Sequence, residues 1–151
     1  MVDVVNKETR SRMMSGIRSK DTQPEILLRK ALHKSGFRYQ LNTKVGKIKP
    51  DIVLVKYKVA IFTHGCYWHR HPECKLAYLP KSKVDFWNKK FDDNINRDKR
   101  VLDELLNAGW RVAIVWECVT RNKTEFKNTT NELSVWIKSN NTLFESKYIQ
   151  Q

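Results

Sequence analysis

The sequence predicts a single α/β domain in which a mixed β-sheet is flanked by helices. Helical and β-rich patterns follow one another in the order helix, strands, helix, strand, helix. The chain has 151 residues, a common size for one compact domain. It is 40% hydrophobic and 30% charged, with 5 Gly and 4 Pro, which excludes a disordered or collagen-like chain. We therefore assign residues 1–151 to one domain.

The first predicted element is a helix over residues 23–35. Thr22 and Glu25 have the spacing of a capping box, and Pro24 suits a first helical turn. Apolar residues recur at helical spacing until Gly36, which favours a helix end. Residues 37–41 then alternate in polarity and predict a strand. Residues 51–55 and 58–63 predict a hairpin, because only Lys56 and Tyr57 separate these two β-rich runs.

The second half of the chain predicts two further helices and a buried strand. Residues 65–82 show little periodicity, and a long irregular stretch in a compact domain is usually functional. A helical pattern runs from Val84 to Gly109, residues 110–116 predict a strand, and residues 124–138 predict a closing helix. Residues 138–151 are expected to form a tail. The aromatic residues expected in the core are Phe62, Trp110, Trp116 and Trp136.

The charge predicts a polyanionic partner. Lys and Arg number 29 against 16 Asp and Glu, which gives a net charge of +13. Ribosomal, membrane-surface and nuclease functions all fit this excess. No apolar run approaches the ~18 residues of a membrane span, and the first residues lack the apolar stretch of a signal peptide. We expect no membrane association and a cytoplasmic protein. The basic residues expected at phosphates are Arg10, Arg12, Arg18, Lys20, Lys44, Lys47 and Lys49.

Cysteine and histidine residues predict a structural metal site. Three cysteines cannot all pair within one chain, and reduced thiols close to histidines favour zinc. Cys66, His71, Cys74 and Cys118 would form a closed Cys₃His site, which leaves no open position for chemistry. His69 could replace His71, since the spacing does not choose between them. Buried apolar cysteines beside surface histidines are the simpler alternative.

A second group of residues predicts a catalytic magnesium site. Asp51 begins the hairpin and Thr63 ends it, so strand pairing would bring the Asp51 carboxylate to the main chain of Thr63. Magnesium favours such oxygen ligands together with water and phosphate. His64 and His69 could transfer protons or contact phosphate, and Glu25 could point into the same region. Taken singly, Asp51 is more simply a turn carboxylate and Glu25 a capping residue.

Several motifs together resemble the very-short-patch-repair (Vsr) DNA mismatch endonucleases. These are Pro-Asp at 50–51, Thr-His-Gly-Cys-Tyr-Trp-His at 63–69, Phe-Trp at 86–87, Asn-Ile-Asn-Arg-Asp at 94–98 and Trp-Glu-Cys at 116–118. The resemblance covers residues 3–137 and implies a restriction-endonuclease-like fold with a structural zinc loop. The Thr-His pair takes the place of that fold's usual acidic-x-Lys element. Tyr67 replaces a frequent Phe, and Arg70 lies where some relatives are richer in histidine.

The resemblance also implies a role for each candidate residue. Asp51 would be the principal Mg²⁺ ligand, Thr63 a ligand through its carbonyl, and Glu25 a holder of metal-bound water. His69 would activate the attacking water with Asp98 orienting its ring, while His64 would contact the scissile phosphate. The resemblance implies a zinc set of Cys66, His71, Cys74 and Cys118. It implies aromatic and apolar DNA intercalation by Tyr67, Trp68, Trp87 and Met14, with residues 1–20 as a DNA-contacting segment.

The expected function is Mg²⁺-dependent nicking of duplex DNA on the 5′ side of the thymine in a T·G mismatch. Such mismatches arise when 5-methylcytosine deaminates, so the resemblance implies a companion cytosine-5 DNA methyltransferase. It also implies mismatch-repair factors such as MutL as partners of a monomeric, nucleoid-associated bacterial protein. The alternatives are a Vsr-like nicking or restriction-type endonuclease with another specificity, and a non-catalytic, zinc-stabilised DNA-binding module.

Overall fold

A computed structural model describes residues 21–151 and shows a mixed sheet between helices. The expectations for Met14 and for the basic residues at 10, 12, 18 and 20 lie outside the described residues. Over the described range the strands, in their order across the sheet, are β1 (Ile52–Leu54), β2 (Val59–His64), β3 (Arg111–Trp116) and β4 (Leu143–Glu145). The helices are α1 (Gln23–Lys34), α2 (Val84–Asn107), α3 (Glu117–Thr120) and α4 (Lys123–Ile137).

Helix α1 begins at the cap that its sequence predicts. The side chain of Thr22 accepts a hydrogen bond from the main-chain N–H of Glu25 at 3.4 Å. The helix ends before Gly36, whose φ of +89° lies in the left-handed region that favours glycine. Leu28 and Leu32 are buried on its inner face. No helix among residues 21–151 has both the length and the apolarity to cross a membrane.

The hairpin is confirmed, and it sets the position of the candidate site. Strand β1 pairs antiparallel with β2, with Ile52 opposite Ile61. A 3₁₀ turn, Val55–Tyr57, joins them and is followed by Lys58 in a left-handed conformation. Strand β2 then pairs in parallel with β3, so that His64 lies beside Trp116. The carboxyl ends of β2 and β3 therefore meet at one edge, where residues 65–83 leave the sheet.

Each face of the sheet is covered by helices because side chains alternate along the strands. On one face, Ile61 and Val115 pack with side chains of α1 and α4. On the other face, Ala60 and Val112 pack against Leu105 of α2. The main core cluster consists of Leu28, Leu32, Phe37, Ile52, Leu54, Val59, Ile61, Ala113, Val115, Val119, Leu133, Trp136 and Ile137.

Two expectations about secondary structure are wrong. Residues 37–41 do not form a strand, because Phe37 turns into the core and Gln40 pairs with Val53 through an isolated bridge. The predicted tail contains β4, which extends the sheet in parallel beside β3. Ser146 fixes the end of this strand, since its hydroxyl accepts a hydrogen bond from the main-chain N–H of Trp116 at 3.0 Å.

The expected core aromatics divide into two pairs. Trp116 and Trp136 are buried, as expected. Phe62 and Trp110 are half-buried and pack at the edge of the cluster formed with α2. Phe62 also lines a cavity of about 360 Å³, because it lies on the face of β2 that points away from the main core.

Candidate active site and metal centre

Asp51 and Thr63 lie side by side at the sheet edge. The main-chain N–H of Thr63 donates to Asp51 Oδ2 at 2.8 Å, and the Thr63 hydroxyl donates to the same oxygen at 3.3 Å. This contact confirms the predicted proximity of the two residues. The pKa of Asp51 is raised to about 6, mainly by burial, which the hydrogen bond from the Thr63 N–H opposes and the negative charge of Glu25 reinforces. Such a carboxylate favours a bound cation, because a positive charge would offset its desolvation.

The Asp51 carboxylate lies between two open cavities. The larger, of about 360 Å³, is lined on its polar side by Asp51, Thr63, His64, His69 and Asp98 together with Lys47, Lys49 and Arg97. The smaller, of about 220 Å³, has Glu25, Arg29 and Lys49 on its wall. Acidic and imidazole groups therefore meet basic groups around one space, which suits a phosphate and a cation together.

The two histidines of the larger cavity are stacked but have different partners. The rings of His64 and His69 are 4.0 Å apart between centroids, with planes 4° apart. Nδ1 of His69 lies 2.7 Å from Oδ2 of Asp98, which leaves Nε2 for a water or a substrate. Burial, followed by the neighbouring His69, lowers the pKa of His64 to about 3. His64 is therefore neutral near pH 7.

Glu25 is buried at the start of α1 with its carboxylate hydrogen-bonded. Glu25 Oε2 accepts from the main-chain N–H of Asp21 at 2.7 Å and from Arg29 Nη2 at 3.2 Å. Arg29 was not among the residues predicted from the sequence. Its position four residues after Glu25 in a predicted helix was the available indication, because side chains at that spacing share a face.

Four buried residues form the candidate zinc centre: Cys66, His71, Cys74 and Cys118. Their potential ligand atoms all lie within 4.8 Å of one another. Cys66 Sγ and Cys118 Sγ lie 3.5 Å and 3.6 Å from His71 Nδ1. The structure places His71 in this cluster and pairs His69 with Asp98, so it favours the first of the two predicted sets. Three thiols and one imidazole in a closed, buried cluster fit the donors of structural zinc.

The chemistry of the two central thiols also fits a metal. The hydrogen bond to Cys66 lowers the pKa of Cys118 to about 6, although burial opposes the shift. The same contact and burial raise the pKa of Cys66. Sulfur atoms this close cannot all be thiolates unless a cation balances their charge.

Further contacts attach the cluster to β3 and α3. The main-chain N–H of Cys118 donates to Cys66 Sγ at 3.4 Å, and the Trp116 ring stacks on His71 at 4.2 Å. Glu117 Oε1 accepts from the main-chain N–H of Cys66 at 3.2 Å. Glu117 also escaped prediction from the sequence, where its only indication was its place between Trp116 and Cys118.

The aromatic residues expected at DNA form a contiguous cluster beside the cavity. Tyr67 contacts Trp68 at 4.9 Å between centroids, and Trp68 contacts Trp87 at 5.9 Å. The buried Phe91 supports Tyr67 from below at 5.3 Å. Trp68 remains 39% exposed, an unusual state for a large indole. We call Tyr67, Trp68, Trp87 and Phe91 the aromatic cluster.

The fold of the described residues resembles that of a solved structure. The catalytic domain of the homing endonuclease I-Bth0305I superposes with a TM-score of 0.54, and the match covers 79% of this chain and 100% of that one. At 24% sequence identity the likeness shows the fold alone. The match shows that the mixed sheet flanked by helices, which the sequence predicted, is a fold that the chain shares with that domain.

Sequence comparison then gives the family. The sequence model of the DNA mismatch endonuclease Vsr matches residues 2–76. The DNA mismatch endonuclease Vsr of Escherichia coli K12 is 38% identical over 139 residues, which cover 91% of this chain and 88% of that protein. The type II nicking enzyme V.NmeAIP of Neisseria meningitidis serogroup A is 44% identical over 138 residues, 91% of this chain and 98% of that protein. V.XorIIP of Xanthomonas oryzae is 42% identical over 118 residues, 78% and 86% of the two chains.

The chain belongs to the Vsr family of DNA mismatch endonucleases. It is a nuclease that acts on DNA, and the interpretation as a non-catalytic binding module is set aside.

Proposed function

We propose that the protein nicks duplex DNA on the 5′ side of the thymine in a T·G mismatch and depends on Mg²⁺ for this reaction. One observation carries the proposal: Asp51, Thr63 and the His69–Asp98 pair face a single cavity, and Trp68, the exposed member of the aromatic cluster, directly precedes His69 in the chain. One DNA site could therefore contact the catalytic groups and, at the same time, aromatic rings that insert where base stacking is weakened. The substrate would be the product of 5-methylcytosine deamination.

The residues that would hold magnesium are Asp51, through its carboxylate, and Thr63, through its carbonyl, with Glu25 contacting metal-bound water. When bound, Mg²⁺ stabilises negative charge on the scissile phosphate and on its leaving oxygen. The buried carboxylate with its raised pKa supports this assignment. The basic wall formed by Lys47, Lys49 and Arg97 would balance the charge of the DNA backbone.

His69 is the proposed general base. Asp98 contacts Nδ1 at 2.7 Å, which fixes the tautomer and leaves Nε2 to take a proton from the attacking water. The Asp98 carboxylate then stabilises the imidazolium that forms. His64 stays neutral and would act as a hydrogen-bonding group on a phosphate oxygen.

Tyr67, Trp68 and Trp87 of the aromatic cluster would recognise the mismatch by stacking, with Met14 entering the DNA from the opposite groove. Inserting rings into DNA costs a few kcal/mol for each base step that is unstacked, and less where mispairing has already weakened the stack. Trp68, being the exposed member, is the ring best placed to enter. The mismatch preference would then arise from the lower cost of opening.

Zinc bound by Cys66, His71, Cys74 and Cys118 would serve as a structural metal. These ligands anchor the irregular segment 65–83 to α3, and that segment carries His69 and the exposed ring of Trp68. The zinc would thus hold catalytic and stacking groups in one frame without touching the reaction.

We also propose a cellular setting that follows from this substrate. A cytosine-5 DNA methyltransferase would create the base whose deamination gives the mismatch, and mismatch-repair factors such as MutL would act with the enzyme. The protein would work as a monomer on the bacterial nucleoid, with residues 1–20 contacting DNA and the remainder as one domain.

The second candidate is nicking at a mismatch in a different sequence context. The names of V.NmeAIP and V.XorIIP, which describe type II nicking enzymes, favour it at identities of 44% and 42%. It uses the same catalytic groups, so only the sequence around the mismatch separates the two candidates.

A nicking assay on end-labelled duplexes tests the proposal. The zinc-loaded protein receives three duplexes with and without Mg²⁺: T·G in a CT(A/T)GG context, the matched C·G control, and T·G in unrelated sequence. A Mg²⁺-dependent nick 5′ to the mismatched thymine is expected, with loss in Asp51→Ala and retention in Asp103→Ala, which changes an exposed carboxylate on α2. Cleavage of all three duplexes alike would overturn mismatch specificity. Cleavage of both T·G duplexes would show that the CT(A/T)GG context is not required, and cleavage of the T·G duplex in unrelated sequence alone would favour the second candidate.

A further inference from the structure

Arg70 holds an unusual place in segment 65–83. It lies between His69 of the candidate active site and His71 of the zinc cluster, with a φ of +55°. A bulky side chain in this left-handed region is disfavoured and persists only when surrounding contacts hold it. The contacts that hold Arg70 in this conformation therefore indicate its role.

The guanidinium of Arg70 connects three carbonyls from two parts of the chain. Nη1 donates to the carbonyl of Tyr67 at 3.1 Å and to that of Tyr78 at 3.2 Å, and Nη2 donates to that of Ala77 at 2.9 Å. Its carbon lies 4.0 Å from the centroid of the Phe91 ring. One side chain thus connects the turn that carries Tyr67, the main chain at residues 77–78, and helix α2.

We propose that Arg70 is a positioning residue that sets the aromatic cluster in its DNA-contacting arrangement before DNA binds. This inference rests on the proposed mismatch recognition. Arg70 fixes the main chain of Tyr67, while Asn94 of α2 fixes the next residue by donating to the Trp68 carbonyl at 3.0 Å. The rings then need little further ordering on binding, and ordering flexible groups is a main cost of association.

The same contacts favour a positioning role for Arg70 over a role in phosphate binding. Nη1 and Nη2 of Arg70 donate to main-chain carbonyls, and the guanidinium carbon lies over the Phe91 ring, so both terminal nitrogens make contacts within the protein. An arginine suits this role because its planar fork reaches several acceptors at fixed angles. A lysine carries the same charge on one flexible point and would hold fewer of these carbonyls.

Tyr78 benefits from the same contact. Its ring is 65% exposed, yet it packs on Tyr67 at 4.9 Å between centroids, and Arg70 holds its carbonyl. The ring therefore extends the aromatic surface next to Tyr67. The Tyr78 ring is therefore part of the surface that Arg70 positions for DNA.

The test uses Arg70→Met, Arg70→Lys and the charge control Lys75→Met, all as zinc-loaded protein. Lys75 is exposed on the same segment, and for it the structure of residues 21–151 describes no side-chain hydrogen bond. Binding to T·G and matched duplexes is measured without Mg²⁺, together with the fluorescence change of a 2-aminopurine base beside the mismatch. Zinc content and Tm report on folding, and Arg70→Lys decides the outcome if Arg70→Met does not retain zinc.

We expect Arg70→Met to weaken binding of the T·G duplex about tenfold, because several groups must now be ordered on binding. Binding of the matched duplex stays within about twofold of the Lys75→Met value, the 2-aminopurine signal falls, and Arg70→Lys recovers part of the preference. An unchanged T·G preference in both Arg70 variants, or an equal loss on both duplexes, would overturn the inference. A wild-type protein without any T·G preference would instead overturn the proposed function on which it rests.

Discussion

The imidazole ring of His64 lies parallel to that of His69, with 4.0 Å between their centroids. Two imidazolium charges at that distance would repel each other, and burial together with His69 keeps the pKa of His64 near 3. Asp98 contacts His69 at 2.7 Å. In the proposed mechanism, this arrangement would let His69 take the proton of the reaction and would keep His64 as a neutral hydrogen-bonding group.

The Asp98→Asn variant tests the different roles proposed for His69 and His64. We expect the single-turnover nicking rate to fall by about 100-fold or more, because the amide cannot stabilise the imidazolium and favours the wrong tautomer. DNA affinity should stay within about twofold of wild type, since Asp98 is not proposed to contact DNA. Rates at saturating enzyme and binding without Mg²⁺ distinguish the two effects. A loss of affinity equal to the loss of rate would contradict the assignment, and Asp103→Asn serves as the matched control.

Asp51→Asn should abolish nicking while stabilising the protein in the absence of Mg²⁺. The folded carboxyl titrates at about 6 and the ordinary carboxyl at 3.8, so between these values the folded state holds a proton that the unfolded state has released. Wild type therefore loses stability as the pH rises from about 4 to about 6, and the variant does not. At pH 7.5 we expect the free energy of unfolding of the Asp51→Asn variant to exceed that of wild type by about 1–3 kcal/mol, as measured by urea denaturation.

The titration of His64 changes the stability with pH in the opposite direction. It does so equally in wild type and in the Asp51→Asn variant, so its effect cancels when the two proteins are compared. Its pKa is lowered from 6.5 to about 3, so both proteins lose stability as the pH falls below 6.5. The difference between variant and wild type therefore reports on Asp51. If the Asp51→Asn variant is less stable than wild type at pH 7.5, burial of the ionised Asp51 carboxylate does not destabilise the protein. Added Mg²⁺ should narrow the difference by stabilising wild type.

Cys118→Ser should remove the zinc and loosen segment 65–83. Wild type is expected to hold one zinc per chain by elemental analysis, and the variant less than a fifth of that amount. The melting temperature should fall by about 10 °C or more, because structural zinc contributes several kcal/mol and each shifts Tm by about 2–4 °C at this chain length. His33→Ala, which changes the exposed histidine of α1, should leave both values unchanged. One zinc retained by the serine variant would contradict the cluster.

Arg111→Met should destabilise the fold without affecting chemistry. The guanidinium donates to the Trp136 and Ile137 carbonyls at the end of α4, at 3.1 Å and 2.6 Å, and lies 4.9 Å from the Trp136 ring. We expect the free energy of unfolding to fall by about 2–4 kcal/mol, compared with about 0.5 kcal/mol for the exposed Arg100→Met. The nicking rate of folded protein should not change, because Arg111 begins β3 and the site lies at the strand's other end. A slower rate at full folding would contradict this separation.

Local patterns predicted the elements whose causes are local. The Thr22 cap, the 51–63 hairpin and the long helix ending near Gly109 all depend on neighbouring residues, and each is confirmed. Residues 37–41 alternate in polarity as a strand would. In the structure, however, Phe37 is buried in the core and only Gln40 pairs with β1, through an isolated bridge to Val53. Strand β4 escaped prediction because three residues carry little pattern, and its pairing with β3 comes from tertiary contact.

The candidate site divides in the same way. The proximity of Asp51 and Thr63 followed from the hairpin and is confirmed. The choice between His69 and His71 did not follow from spacing, because it depends on Asp98, which is 29 residues from His69 in the chain. No local pattern reports a contact over that distance, so the resemblance to a family supplied the pairing and the structure shows the contact. The proposed roles of these residues stay predictions.

The strands at the two sides of the sheet are short. In the described part of the chain, β1 and β4 have three residues each, whereas the two central strands, β2 and β3, have six residues each. Gln40 occupies part of the β1 side through its bridge to Val53. Few free N–H and C=O groups are thus offered to a second molecule, and the net charge of +13 repels one. Free in solution, the protein should consequently resist aggregation by strand addition.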